Sequence, residues 1–239
     1  MKALGAALAW IAGTAGAQDL PPADIYVLGE IHDNPAHHAV QADLVAQLGP
    51  AAILFEMLSD EQAVRIGPDT PRDAATLGPL LDWAESGWPD IAFYAPIMAA
   101  SDAPILGAAG EAGDLSVYGL AAALPPEEQE ARERLQAEAH CGALPEEMLP
   151  DFVARQRAID AQFAARTLAA LDAHGAPVVL IAGNGHARTD WGVPAAIARV
   201  RPDLAVVAVV QGEGDPTVPG DVVLQAEPQV RGDPCDAFR

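Results

Sequence analysis

Four residues in this chain have the types and the spacing to do chemistry. Glu30 and His32 stand two apart in Gly29-Glu30-Ile31-His32, Glu56 follows Phe55, and His186 closes Gly183-Asn184-Gly185-His186. Each group comes directly after a run of apolar residues. Carboxylate and imidazole exchange protons near neutral pH and bind divalent cations. Glu30, His32, Glu56 and His186 could hold a divalent metal ion and lower the pKa of a bound water. Without a metal, a glutamate or histidine among them could act as a general base on an ester or related bond. Each has an ordinary alternative: Glu30 could cap a helix or pair with an arginine, and His186 could be a loop histidine bonded to backbone. A carboxylate at the end of an apolar run is costly to bury without a partner. Three such ends meeting in one place would supply the partners, so a shared site is the better reading.

The positioning elements follow from the apolar pattern. Residues 24–29, 51–56, 103–107, 177–183 and 203–211 are short, nearly continuous apolar runs rich in β-branched residues, as strands covered on both faces should be. Residues 221–226 read as an edge strand. Asn34 can cap a helix with Pro35 in its first turn, running to Gly49. That helix carries His37, His38 and Gln41; Gln41 lies three or four residues from either histidine and shares a face with it. At least one of the two histidines is expected to be an ordinary packed or solvated side chain. Charged residues from Pro126 and a longer segment from Asp151 to Gly175 read as helices, with Phe152, Ile159, Phe163, Leu168 and Leu171 on one stripe. The expected fold is α/β: a layered, largely parallel central sheet flanked by helices, with a helical excursion around 112–176. Ligands on such sheets bind beyond the carboxyl ends of the strands, where Glu30, His32, Glu56, Asn184 and His186 should converge.

Composition narrows the function. The chain has 34 acidic and 13 basic residues and a formal net charge of −21, which disfavours nucleic acid and anionic membranes as partners. Lys2 is the sole lysine, excluding lysine Schiff bases and a Walker lysine from the rest of the chain. Residues 1–17 read as a secretory signal peptide ending in Ala15-Gly16-Ala17, so 18–239 is expected to be a single exported, periplasmic domain with no transmembrane span. Cys141 and Cys235 are the two cysteines, and in an oxidising compartment a disulfide between them is the favoured reading over a metal pair.

Five segments occur in the order and spacing of a known family: GEIHDNPAHHAVQ (29–41), FEM (55–57), LDWAESGWPDIAFYAPI (81–97), RQRAIDAQFA (155–164) and AGNGHARTDWGVP (182–194). The sequence resembles the ChaN-type haem-binding uptake family, itself similar to the wider Tiki and erythromycin-esterase superfamily. Carried over by the resemblance, Glu30 and His32 hold the GExH positions, Glu56 the second acid, Asn184 and His186 the GNGH segment, and His38 and Gln41 the HxxQ positions. Haem capture in iron acquisition is the implied function, with metal-dependent or Glu/His-dependent hydrolysis the alternative. Gln18 follows the cleavage position where lipid-anchored family members carry cysteine.

The axial ligand could be a histidine or a tyrosine. Tyr94 lies in an aromatic segment with Trp83, Trp88 and Phe93; Tyr118 is the other available tyrosine, and Tyr26 sits within a strand. The candidate haem contacts are therefore His32, His38, Gln41, Tyr94, Asn184, His186 and Arg188. Arg188 could meet a haem propionate or pair with Asp190, and the Asn34–Pro35 helix start is a second place for a propionate.

Overall fold

The structure, a computed structural model, describes residues 20–214, 218–233 and 235–236. The expected signal peptide at 1–17 lies outside the described residues. Six strands form one sheet: β1 (Ile25–Glu30), β2 (Ala52–Ser59), β3 (Ile105–Ala109), β4 (Val178–Gly183), β5 (Val206–Gly212) and β6 (Val222–Gln225). Their order is β3-β2-β4-β1-β5-β6, and all five pairings are parallel. Parallel strands need long crossovers, which here are helices on both faces. This is why β1 and β4 are buried along their whole length, as their unbroken apolar runs require.

The pleat sends alternate residues to opposite layers. Tyr26 and Leu28 enter one core with α1 (Pro35–Leu48), α3 (Ala74–Leu80) and α4 (Ile91–Ala99); Ile25 and Val27 enter the other with α6 (Leu149–His174) and α8 (Val193–Val200). Short α2 (Asp60–Ala63), α5 (Pro126–Ala139) and α7 (Asn184–Ala187) complete the helices. The expected helical excursion is α5 and α6, joined through a 3-10 turn at Glu146–Met148. Among the described residues, no helix is long and apolar enough to cross a membrane.

Several boundaries moved, each for a physical reason. Asn34 caps α1 by accepting from the Ala36 N–H at 2.9 Å, and Gly49 ends it in the left-handed conformation, as expected. α6 begins at Leu149, two residues before Asp151, because Pro150 fits a first turn. Residues 91–99 are a helix that the sequence reading left unassigned; its internal Pro96 and nearly all-apolar content hide the helical period. β2 runs to Ser59, so Glu56 stands within the strand instead of after it. Its pairing with β4 nevertheless stops at Phe55↔Ile181, and the ladder with β3 shifts register between Phe55 and Ser59. Glu56 therefore stands where β2 parts from β4.

Cys141 and Cys235 form a disulfide with Cα atoms 5.6 Å apart and a sequence separation of 94. It ties the C-terminal segment to the turn after α5. The loop-entropy account gives a link of this length about 4 kcal/mol. Cys141→Ser should lower the free energy of unfolding by an amount of that order in oxidising buffer and change nothing in reducing buffer. Chemical denaturation with and without dithiothreitol measures both, and equal stability in the two buffers for the parent protein would remove the disulfide from the stability argument.

Candidate functional site

Three strand ends carry the chemistry, and the topology makes them neighbours. β4 inserts between β2 and β1. Glu30 is abreast of Gly183 in the register, and Glu56 lies one residue beyond the last β2–β4 pair. The GExH, FEM and GNGH segments thus leave adjacent strands at one edge.

The first group surrounds Glu30, which is 2% exposed. Its Oε1 lies 2.7 Å from His32 Nδ1, accepts from the Tyr94 hydroxyl at 3.0 Å, and has His38 Nε2 3.5 Å away. Oε2 is buried with no hydrogen-bond partner. Burial pushes the Glu30 carboxyl up, but the His32 hydrogen bond and the nearby His38 ring outweigh it and hold the pKa at about 2. Burial likewise opposes the charge on His32, yet the hydrogen bond to Glu30 and the Glu56 charge raise its pKa above the ordinary value. Tyr94 is fully buried; burial and then the Glu30 charge push its phenol far up, so it serves as a neutral donor.

The second group is a relay through His186. Asp160 Oδ1 sits 2.7 Å from His186 Nδ1, and Glu56 Oε1 lies 3.4 Å from His186 Nε2. Glu56 Oε2 accepts the Gly183 N–H at 2.7 Å across the gap where β2 leaves β4. Burial resists an imidazolium at His186, but Asp160 and Glu56 together raise its pKa. Burial raises Asp160 against the pull of His186. The Gln156 amide lies 3.2 Å from the same Nδ1.

Two glycines make the approach possible. A Cβ on Gly183 would stand 2.8 Å from His32 Nε2, and one on Gly29 would stand 2.5 Å from Asn184 Oδ1. Both distances are closer than packed atoms tolerate, so these motif positions exclude a side chain. Asn184 accepts the Gln211 N–H and donates to the Gln211 carbonyl, latching β4 to β5 across the end of β1.

The remaining expected residues divide. His38 and Gln41 belong to the site: His38 by its approach to Glu30, Gln41 by donating to the Leu28 and Gly29 carbonyls at 3.1 and 3.4 Å. His37 is the ordinary packed histidine, accepting the Ile31 N–H at 3.0 Å. Arg188 is held by both oxygens of Asp190 at 2.6 and 2.7 Å, the salt-bridge alternative for that residue. The α1 start meets Glu213, which bonds to Asn34 and Arg231. Tyr118 lies in the other core layer, and the Tyr26 hydroxyl donates to the Pro21 carbonyl. Among the described residues, no group of three or more acidic, histidine or cysteine side chains is arranged to hold a metal ion. The reason is local: Glu30 and Asp160 each engage one imidazole nitrogen, and Glu56 accepts a backbone N–H.

Sequence reasoning missed Asp160, Gln156 and Gln211. Asp160 left a signal: it falls on the buried face of α6 between Val153 and Phe163, where a lone acid needs a partner. Gln211, at 2% exposure, donates to the Gly29 carbonyl at 2.7 Å and ends a strand like the others.

Glu30 and His32 make stability depend on pH with a definite sign. The Glu30 contribution is complete above the ordinary 4.5 and is lost as pH falls toward 2. The His32 contribution is complete below 6.5 and is lost as pH rises through its elevated folded value. Glu30→Gln should therefore destabilise by about 2 kcal/mol near pH 5.5, the scale of hydrogen bonds to a charged group, and by much less near pH 2.5. Urea titrations at the two pH values decide it; an equal penalty at both would show that Glu30 is not a paired carboxylate.

A ChaN structure from Campylobacter jejuni, described as binding haem cofacially, superposes with a TM-score of 0.63 at 23% identity, covering 84% of this chain and 86% of that one. The type III effector HopBA1 gives a TM-score of 0.46 at 15% identity over 86% of this chain and 88% of its own. No curated protein matches the chain. The family model for haem-binding uptake, Tiki superfamily, ChaN, matches residues 16–111 and 106–197, and the chain belongs to that family.

Proposed function

We propose that this protein binds haem as a periplasmic component of haem or iron acquisition, with residues 18–239 acting as one ChaN-like domain after removal of the signal peptide. Family membership over 16–197 carries the proposal. The residues present suit the group. His32 is the site histidine with a part-open side chain, 33% exposed, and Glu30 holds its Nδ1. A carboxylate behind one ring nitrogen fixes the tautomer and leaves the other as the ligand atom. The absent side chain at Gly183 leaves space against His32 Nε2. Trp88 packs edge-on to His32 with ring centres 4.9 Å apart, and it also lines a cavity of about 670 Å³ with Trp83, Pro89 and Ile91. That volume and aromatic wall are of the kind that holds a flat apolar ligand.

In this assignment His32 would hold the haem iron, with Glu30, His38 and Tyr94 gathered behind it. Gln41 and Asn184 fix the backbone around it, and His186 with Glu56 fills the floor. Haem, when bound, supplies the iron; the protein orients and shields it. Arg188 is occupied by Asp190 and would not be free to meet a propionate.

Haem titration of the purified mature protein should give a saturable, stoichiometric Soret shift. His32→Ala should weaken binding at least tenfold and change the spectrum of the bound iron. Gly183→Ala should weaken it too, by crowding the ring. Arg188→Ala should leave affinity within about twofold. Absence of saturable binding by the parent protein would defeat the proposal. It would favour the Asp160–His186–Glu56 array as a general base of a hydrolase.

A further inference from the structure

A second cavity, of about 310 Å³, lies on the opposite core layer, between α5, α6, α8 and the 3-10 turn at Ser116–Tyr118. It collects Arg132, Arg157 and Arg199 in a chain with 34 acidic and only 13 basic residues. Glu128, Asp160 and Asp190 line it as well.

Each of these acids already has a partner. Glu128 pairs with Arg132, Asp190 with Arg188, and Asp160 with His186. Arg157 and Arg199 are left without an ion pair among the described residues. Both converge on Gly119. Arg157 Nη2 donates to the Gly119 and Ala122 carbonyls at 3.1 and 3.2 Å, and a side chain at Gly119 would meet Arg199 Nη1 at 3.1 Å. One buried donor on the cavity lining also lacks a hydrogen-bond partner: Nε of Arg132, which is 9% exposed. Unpartnered buried donors and acceptors are uncommon and mark places where a ligand or water completes the set. Trp191 adds a flat wall, with the Arg132 guanidinium 4.8 Å from its ring centre.

We propose that this cavity is a binding site for a small oxyanion of the carboxylate or phosphate type, held by Arg157 and Arg199 with Arg132 behind them. Planar guanidinium forks match both groups by paired hydrogen bonds. The cavity volume is at the low end for ligand sites, which fits a compact anion and not a macrocycle. This site is independent of the haem proposal.

The probes are sodium phosphate and sodium citrate, each titrated into the mature protein against sodium chloride at matched ionic strength. Calorimetry and tryptophan fluorescence are the readouts. At least one anion should bind saturably with one site per chain. Preference for citrate or for phosphate assigns the headgroup. Arg199→Gln should weaken binding at least tenfold; Arg199 is exposed on α8, and circular dichroism checks that the variant folds. Arg157→Gln should do the same, while Arg155→Gln, an exposed arginine on the same helix, should leave binding unchanged. No saturation by either anion beyond the chloride control would overturn the proposal, as would equal weakening by Arg199→Gln and Arg155→Gln.

Discussion

A buried carboxylate at the end of the central strand organises this molecule. Glu30 is almost wholly removed from water, and an unpaired carboxylate there would be intolerable. Its partners come from three separate places: His32 just beyond the strand, His38 from α1, and Tyr94 from α4. Each of those elements must pack where it does for Glu30 to remain ionised. α1 and α4 lie against each other in one core layer, and their aromatic and histidine rings meet there: His38 stacks on Phe93 and meets Tyr94 edge-on. The polar interaction and the apolar packing are therefore the same event.

The sheet order gives the second half of the arrangement. β4 enters late in the chain and occupies the slot between β1 and β2. It delivers Gly183, whose N–H bonds to Glu56, and His186, whose ring stands between Glu56 and Asp160. Asp160 comes from α6 on the other face of the sheet. One histidine group faces the layer of α1 and α4, the other reaches the layer of α6, and the Gly183 backbone stands between them. A single strand end thus couples the two layers.

Charge is distributed with the same economy. A chain with so many acids and so few bases places its arginines where they close the structure. Arg231 holds Asp33 and Glu213 together at the start of α1, and Arg166 joins Asp60 to the carbonyls of Gly107 and Glu111. Arg157 bonds to the carbonyls of Gly119 and Ala122, and Arg199 stands beside the same glycine. Asp160 touches both regions, bonding to His186 on one side and lining the arginine cavity on the other.

The sequence by itself determined the strands and the three longest helices, α1, α5 and α6. Apolar runs of about five to nine residues marked every strand within about three residues, since parallel strands buried on both faces cannot carry polar positions except at their ends. Glu30, Glu56 and His186 were legible for that reason, and the Asn34 cap and Gly49 stop were legible because local backbone chemistry sets them. Helix α4 was not legible, because an all-apolar helix with an internal proline shows no amphipathic period. Nor were the partnerships. Only the insertion of β4 between β1 and β2 decided that Glu56 faces His186. Only the packing of α6 brought Asp160, 26 residues away, onto the same imidazole. Which charge meets which is a property of distance in space, and spacing along the chain does not encode it.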